Sequence, residues 1–579
     1  MKKKLLTILV TSIIMIVGMG VFLWRMSTIS RKMNADQMAL LQEEKDLGGG
    51  KKALKDIEEL ELKTLYVSGK RKNVITREHK AIADIYDTAG SASTREMLTD
   101  IQEKGEYTPE EPLWAYNPFG TNPESLYLYF ESDGKCYCRY TISVDDEDIP
   151  DFTRTSYNGD SGNVTSQHEY QLTGLVPGRT NYIILRLYNS KDKLSQTLYY
   201  KVDMPESYSG AEVILKSESG RSKAELQNGL YVVFSNQKKK NAILLYDNCG
   251  VLRGEFPVQT TGNNAEYIYD NFVYSISSSR FAQVNSLGQV VGVMEMPSYK
   301  QCGEFAYDGS GSIYVLADKV STKDKASCVV KLSVTGGEVT EALNMKNIEK
   351  LKPVYDASKK KKDWIGLDSI QVVGVNQLLL GSSRYSSIFK VSNVGSLLPK
   401  LDYIIADEDL WKDYKKLKKK VLEKTLAEGE TEPPVETPLV DSILDTGAAQ
   451  KPDLFASQYG QNAMVIDTTS GGLGEGQYYL YMLNNNFGNG ASEGNESSYC
   501  YRYLVDETAG TYLLADKERL EKNKSGGNVT PYQETYLYCK SEEETFEECD
   551  TRGKILKSFK VENGLKRVYK QDWKGFWFY

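Results

Sequence analysis

A four-residue turn motif, Asp/Asn-x-x-Gly, recurs between apolar runs from residue 247 onward in this 579-residue sequence. Its four copies span 247–250, 285–288, 308–311 and 550–553. Short strands joined by turns that repeat at roughly this spacing are the sequence signature of a β-propeller. A row of β-sandwich domains would give a similar pattern, so the repeat alone predicts a mainly β chain and leaves these two folds open.

A second β-rich region precedes the repeats. Aromatic and apolar strand runs, the first two separated by an Asp133-Gly134 hairpin turn, are typical of a small β-sandwich. The runs are Leu126–Phe130, Tyr137–Ile142, Tyr182–Tyr188 and Gln196–Val202. We therefore predict a sandwich over residues 111–206 and the propeller over residues 210–579, with a charged helical insertion near residues 408–430.

The N-terminus carries an apolar segment. Residues 5–24 hold no charged side chain, and 20 helical residues are long enough to cross the hydrocarbon core of a membrane. This pattern predicts a signal anchor at residues 1–25, a transmembrane helix followed by a charged helical stalk over residues 26–110. A cleaved signal peptide is the alternative.

Composition excludes several classes of function. The formal net charge of −8 offers no basic footprint for a nucleic acid. The eight cysteines include no CxxC pair, so we predict neither a metal nor a cofactor. The sequence holds only two histidines, His79 in the predicted stalk and His168 in the predicted sandwich, which leaves few groups for acid–base catalysis near neutral pH.

Five segments together resemble the bacterial aryl-sulfate sulfotransferases. Residues 117–123 and 168–178 are similar to that family's N-terminal domain, and residues 302–308, 363–369 and 459–463 are similar to its active-site segments. The resemblance runs from about residue 95 to the C-terminus. It implies a six-bladed propeller, an exported domain, and therefore a single-pass protein of the cell membrane with its large domain outside the cytoplasm. It also implies a homodimer.

The positions that carry catalytic histidines in the family hold other residues here. They correspond to Cys302, Gly303, Gly366 and Asn462, of which Asn462 matches the nucleophile. The arginine of the family is kept as Arg384, Asp368 stands where the family has asparagine, and the acidic residue of the first segment is kept as Glu304.

As the resemblance implies, the family moves a sulfuryl group from an aryl sulfate to a phenol through a histidine nucleophile, without a nucleotide donor. Asn462 has no nucleophilic lone pair, because its amide nitrogen is conjugated with the carbonyl. We therefore predict a non-catalytic, membrane-anchored propeller that binds an anionic or aromatic ligand or an envelope partner.

The predicted ligand is a sulfated or phenolic small molecule held by Arg384, Asp368 and Gln461. Two alternatives stay open at this point. One is an active sulfotransferase with a modified mechanism, for which Cys302 is the candidate nucleophile. The other is a structural scaffold of the envelope.

Overall fold

The computed structural model describes residues 62–159, 163–237, 239–335, 337–358, 362–425, 455–486 and 497–579. The predicted anchor at residues 1–25 lies outside these ranges. Within them, no helix is both long enough and apolar enough to cross a membrane.

The N-terminal domain is one eight-stranded sheet folded into a sandwich around the long strand β4. Its elements are β1 Leu62–Leu65, β2 Ile75–Thr76, α1 Ile82–Ile85, α2 Thr88–Lys104, β3 Leu113–Tyr116, β4 Ser125–Val144, β5 Phe152–Thr155, β6 Thr165–Thr173, β7 Thr180–Asn189 and β8 Leu194–Asp203. The order along the sheet is β1-β8-β7-β4-β3-β2, and β5 and β6 also pair with β4. The first half of β4 pairs with β3 and β6 and its second half with β5 and β7. One strand thus serves both layers.

The prediction of a separate stalk over residues 26–110 is wrong for its described part, residues 62–110. Strands β1 and β2 add in parallel to β8 and β3, and α2 packs its buried Leu98 against Leu113 and Tyr127 of the sandwich. His79, predicted to be a solvated stalk residue, is half-buried, with Nε2 3.2 Å from the carbonyl oxygen of Pro118. A charged helix read in isolation looks like a stalk because its few apolar positions give only a narrow stripe.

The C-terminal domain is a propeller of six sheets, which we number as blades 1 to 6. Blades 1 to 3 contain β10 Leu230–Ser235, β11 Ala242–Tyr246, β12 Leu252–Pro257, β13 Ala265–Ile268, β14 Asn271–Ser277, β15 Arg280–Val284, β16 Val290–Glu295, β17 Tyr299–Tyr307, β18 Ser312–Lys319, β19 Cys328–Ser333 and β20 Val339–Asn344. Blades 4 to 6 contain β21 Leu367–Gly374, β22 Gln377–Ser382, β23 Ser387–Ser392, β24 Lys400–Ile405, β25 Glu423–Lys424, β26 Asn462–Asp467, β27 Gln477–Asn484, β28 Ser497–Asp506, β29 Thr511–Glu521, β30 Asn528–Tyr532, β31 Thr535–Lys540, β32 Thr545–Asp550 and β33 Ile555–Lys560. This confirms the six-bladed propeller.

Two strands from opposite ends of the domain close the ring. The last strand, β34 Leu565–Gln571, is the innermost strand of blade 1 and pairs with β10, whereas β9 Lys216–Ser219 is the outermost strand of blade 6 and pairs with β33. Each terminal blade therefore contains strands from both ends of the propeller sequence. These two pairings exchange strands between the ends of the propeller sequence and so close the ring.

The four Asp/Asn-x-x-Gly motifs form the turns that the sequence predicts. In each, one side-chain oxygen of the first residue accepts hydrogen bonds from the backbone N–H groups two and four residues later, as Asp308 does from Ser310 and Ser312. The glycine has a positive φ, +108° at Gly311, a region that favours glycine. The motif therefore fixes where one strand ends and the next begins.

The predicted insertion near residues 408–430 is described to residue 425. It holds a 3₁₀ turn at Glu408–Trp411 and the short helix α4 Lys415–Lys418, while a second helix, α3 Lys352–Ala357, follows the 3₁₀ turns Met345–Asn347 and Glu349–Leu351 in the blade 3–4 connection. Trp411 is fully buried and its indole Nε1 donates to Ser387 Oγ at 3.1 Å. This part of the insertion is thus packed on blade 4.

The sandwich packs on blades 1 and 2. The buried Arg253 of β12 donates from Nη1 to the carbonyl oxygen of Gly174 at 3.2 Å and from Nη2 to that of Pro150 at 2.9 Å. Near the C-terminus, Trp577 stacks in the same core and its indole Nε1 donates to the carbonyl oxygen of Ser286 at 2.8 Å. These contacts hold the two domains together away from the channel.

Candidate functional site

The innermost strands of the six blades, β13, β17, β21, β26, β30 and β34, surround a central channel. In this channel the structure brings together Asn462 of β26, Arg567 of β34, Glu304 of β17 and Asp368 of β21, which belong to four different blades. Below this ring lies a cavity of about 290 Å³ to which every innermost strand contributes.

Asn462, at the position of the family's nucleophile, is held by an arginine that the sequence analysis did not single out. Arg567 of β34 donates from Nη2 to Asn462 Oδ1 at 2.6 Å, and its Nε lies 3.5 Å from Glu304 Oε1. These three residues belong to blades 1, 5 and 3, which alternate around the ring. The guanidinium therefore lies across the axis of the channel, and Arg567 and Glu304 are almost fully buried there.

The carboxylates around this guanidinium are held in unequal ways. Asp368 accepts from the backbone N–H of Ser383 at 2.6 Å and from Ser369 Oγ at 2.8 Å. Burial raises the pKa of Asp368, and these hydrogen bonds oppose the rise. Burial raises the pKa of Glu304 to about 7, although Arg567 lowers it. Asp368 thus fixes the turn at Ser383, whereas the cost of burying the Glu304 carboxylate is only partly offset by Arg567.

Two of the positions that match family histidines have no room for a side chain. A Cβ on Gly303 would lie 2.9 Å from the carbonyl oxygen of Asp368 and 2.8 Å from Leu316. Gly366 has a φ of +59°, and a Cβ there would lie 2.9 Å from Cβ of Arg384. Neighbouring atoms occupy the space at Gly303, and Gly366 has a left-handed backbone conformation that other residues rarely adopt, so neither position is a vacant histidine pocket.

Cys302 lies away from the channel. Its side chain packs with the apolar cluster between blades 3 and 4. Burial, followed by the carboxylate of Asp318, raises the pKa of the Cys302 thiol far above its ordinary value. A thiol in these surroundings stays protonated and is a poor nucleophile. All eight cysteines lie in described residues, and none of them forms a disulfide.

Arg384 and Gln461, both predicted to bind a ligand, have protein partners. Arg384, on the turn between β22 and β23, donates from Nη1 to Asp363 Oδ2 at 2.8 Å with its side chain 29% exposed. Gln461 is fully buried and donates from Nε2 to the carbonyl oxygens of Ser382 and Ser387, each at 3.0 Å. Gln461 therefore holds the turn that carries Arg384.

Both histidines lie in the N-terminal domain, apart from the channel. His168 is fully buried, stacks on Phe130 with ring centroids 4.4 Å apart, and places Nδ1 2.8 Å from the Tyr170 hydroxyl. Burial lowers the pKa of His168 to about 4, so it is neutral at neutral pH. These contacts give His168 a role in the packing of the sandwich. Among the described residues, no group of three or more metal-ligating side chains comes together.

Sequence reasoning missed Arg567 and Glu266. Arg567 lies on the strand that closes the ring, more than 100 residues after the last active-site segment, so only the closure places it at Asn462. Glu266 lies on β13 and lines the cavity beside Glu304. Burial and then the charge of Glu304 raise the pKa of Glu266 to about 7. The only sequence signal for Glu266 is a single acidic residue within a short strand.

Replacing Glu266 by glutamine is expected to stabilise the protein at about pH 8 by about 1–3 kcal/mol, and hardly at all at about pH 4. The folded-state pKa of about 7 is above the unfolded value, so the fold disfavours the ionised carboxylate. This destabilisation is absent when the pH is below the pKa that Glu266 has in the unfolded chain, and it is complete when the pH is above the pKa that Glu266 has in the folded protein. Thermal melts of both proteins across this pH range measure the difference. A gain that is the same at both pH values would contradict the assignment.

Comparisons with known proteins cover most of the chain. The model of the family described as arylsulfotransferase (ASST) matches residues 216–567, more than half of the chain, and the arylsulfotransferase Ig-like domain matches residues 113–205. No curated protein matches the sequence. Similar solved structures include a functionally unknown protein from Desulfotomaculum acetoxidans, at 7% identity over 67% of this chain and 95% of that one with a TM-score of 0.34. The periplasmic gluconolactonase of Pseudomonas aeruginosa is 9% identical over 75% of this chain and 99% of its own, with a TM-score of 0.33. The two family matches cover both the propeller and the sandwich, and the chain belongs to the arylsulfotransferase family.

Proposed function

We propose that this chain is a non-catalytic member of the arylsulfotransferase family that binds a small aromatic ligand in its propeller channel. The observation that carries the proposal is the hydrogen bond from Arg567 to Asn462 at the position of the nucleophile. The amide of Asn462 offers no lone pair to attack sulfur, and its oxygen is taken by the guanidinium. Asn462 therefore cannot act as the nucleophile of sulfuryl transfer.

The surroundings supply no substitute. Close contacts at Gly303 and the left-handed backbone at Gly366 exclude a second histidine, and the Cys302 side chain packs between two blades. Transfer also requires a donor to protonate the leaving phenolate. Removing a nucleophile of this kind lowers rates by roughly 10⁴–10⁶. The active sulfotransferase with a modified mechanism is therefore the less favoured candidate.

Aryl-sulfate turnover tests this proposal directly. The full chain in detergent is incubated with para-nitrophenyl sulfate and a phenol acceptor, beside an active member of the family as the positive control. We expect release of nitrophenol at the background rate. Turnover that is lost in Arg384→Ala would contradict the proposal, because it would show that the arginine kept from the family's site still supports transfer.

We further propose that the chain is anchored in the cell membrane by residues 1–25, with both β domains outside the cytoplasm. Two observations support this placement. Residues 5–24 carry no charge, and the family resemblance implies an exported domain. Protease treatment of intact cells should digest the propeller, whereas a cytoplasmic marker stays protected. Protection of the propeller in intact cells, followed by digestion after lysis, would place it inside.

A further inference from the structure

The channel cavity carries two carboxylates on adjacent innermost strands. Glu266 of β13 and Glu304 of β17 both line it, together with backbone and side chains of β21, β26, β30 and β34. Its volume of about 290 Å³ suits a single small organic molecule. Any ligand of this cavity must therefore be compatible with two acidic groups.

The cations near the cavity already have partners. Lys570 Nζ lies 2.5 Å from Glu548 Oε2 and over the ring of Tyr231, with its side chain fully buried. Arg567 is shared between Asn462 and Glu304. Among the described residues, no lysine or arginine lies within 4.0 Å of the Glu266 carboxylate. Glu304 therefore shares its cation with Asn462, and Glu266 has no cationic partner among the described side chains.

Aromatic side chains complete the wall. Tyr532 and Tyr569 line the cavity and Pro531 lies beside them, whereas the Phe305 ring packs edge-on against Phe281 in the core between blades 2 and 3. The face of an aromatic ring attracts cations and also stacks on a ligand ring. Aromatic groups next to Glu304 and to Glu266, which has no cationic partner among the described residues, form an environment suited to an aromatic molecule that carries a positive charge.

We propose that this cavity binds a small aromatic amine, with its ammonium group held by Glu266 and Glu304. The inference rests on the proposed function, since it names the ligand class of the same channel. Burial disfavours the ionised form of both carboxylates, and a bound ammonium offsets that cost. A sulfate placed at the same point would face like charges. The ligand charge is therefore opposite to the anionic one expected from the family resemblance.

Calorimetric titration of the full chain in detergent tests this with three matched probes. Tyramine has a phenol ring and an ammonium, para-ethylphenol has the ring alone, and para-methylphenyl sulfate has a ring and an anion. We expect tyramine to bind roughly 10-fold or more tightly than para-ethylphenol, as a charge-assisted hydrogen bond would give. The aryl sulfate should be the weakest. Tighter binding of the aryl sulfate, or no heat from tyramine, would overturn the proposal.

Paired variants separate the site from general acidity. Glu266→Gln should weaken tyramine roughly 10-fold and leave para-ethylphenol unchanged. Glu338→Gln, an exposed glutamate on a blade 3 turn, is the matched control and should change neither. Far-ultraviolet circular dichroism confirms the fold of each variant. Equal tyramine affinity in both variants would overturn the assignment. Aryl-sulfate turnover by the wild type would instead contradict the proposed function, whatever the amine result.

Discussion

Replacing Lys570 by alanine is expected to lower the free energy of unfolding by about 3–5 kcal/mol, the largest single effect on stability that we predict. Lys570 lies on β34, the strand that closes the propeller, and its partner Glu548 lies on β32 of the neighbouring blade. The two side chains are 0% and 1% exposed. Truncating the lysine leaves the glutamate buried without its cation.

The surroundings of the pair explain why the loss is large. Glu548 also accepts from the Tyr231 hydroxyl at 2.6 Å and from Thr535 Oγ1 at 3.0 Å, so it is fixed in place and cannot turn toward solvent. Burial lowers the pKa of Lys570 to about 8, and the charge of Glu548 opposes this shift. The lysine is therefore still mostly charged at neutral pH, and the pair joins blade 1 to blade 6 at the closure.

Urea unfolding of the wild type and two variants measures this effect. Lys216→Ala is the control, because its pair with Glu562 is exposed and 3.6 Å apart, and we expect a change below about 0.5 kcal/mol. The double variant Lys570→Met/Glu548→Gln removes both charges and should recover most of the loss. A Lys570→Ala variant as stable as Lys216→Ala would show that the pair does not hold the closure.

The sequence could predict the propeller because its signals are local. An Asp or Asn side chain that accepts from the next few backbone N–H groups needs no distant partner, so the turns at Asp247 and Asp308 could be located from the residues alone. The signals for the sandwich were also local, because its apolar runs favour strands on their own, and that fold is confirmed. The predicted hairpin at Asp133-Gly134 is wrong, because the runs on either side of it lie in one uninterrupted strand, β4.

The site depended on long-range contacts and was only partly predictable. The segments around Cys302, Gly366 and Asn462 were found by resemblance, yet whether each position faces the channel depends on packing. Cys302 lies between blades, and Gly366 takes a left-handed conformation that no sequence pattern reveals. Arg567 reaches Asn462 only because β34 returns to blade 1. The stalk was misassigned for the same reason, since α2 is anchored by contacts such as Val290 N–H to Ser91 Oγ at 3.0 Å.

Restoring a histidine at position 462 is expected not to restore sulfuryl transfer, and this is the largest effect on activity that we predict. The Asn462→His variant should remain at least roughly 10⁴-fold slower than an active family member. Arg567, which now donates to Asn462 at 2.6 Å, would donate to the imidazole lone pair instead. A lone pair engaged by a guanidinium is not free to attack sulfur.

The double variant Asn462→His/Arg567→Ala separates the two causes of inactivity. It frees the imidazole, whose ring nitrogen would then form a bond to sulfur as the bond from sulfur to the aryl oxygen breaks and the phenolate leaves with the electron pair. Because Gly303 and Gly366 provide no side chain to protonate that phenolate, we expect at most a slow, single release of nitrophenol from para-nitrophenyl sulfate, with a sulfuryl adduct on the histidine detectable by mass spectrometry. Multiple turnovers by the single variant would show that the rest of the family's machinery is intact, and the chain would then have lost its chemistry through Asn462 alone.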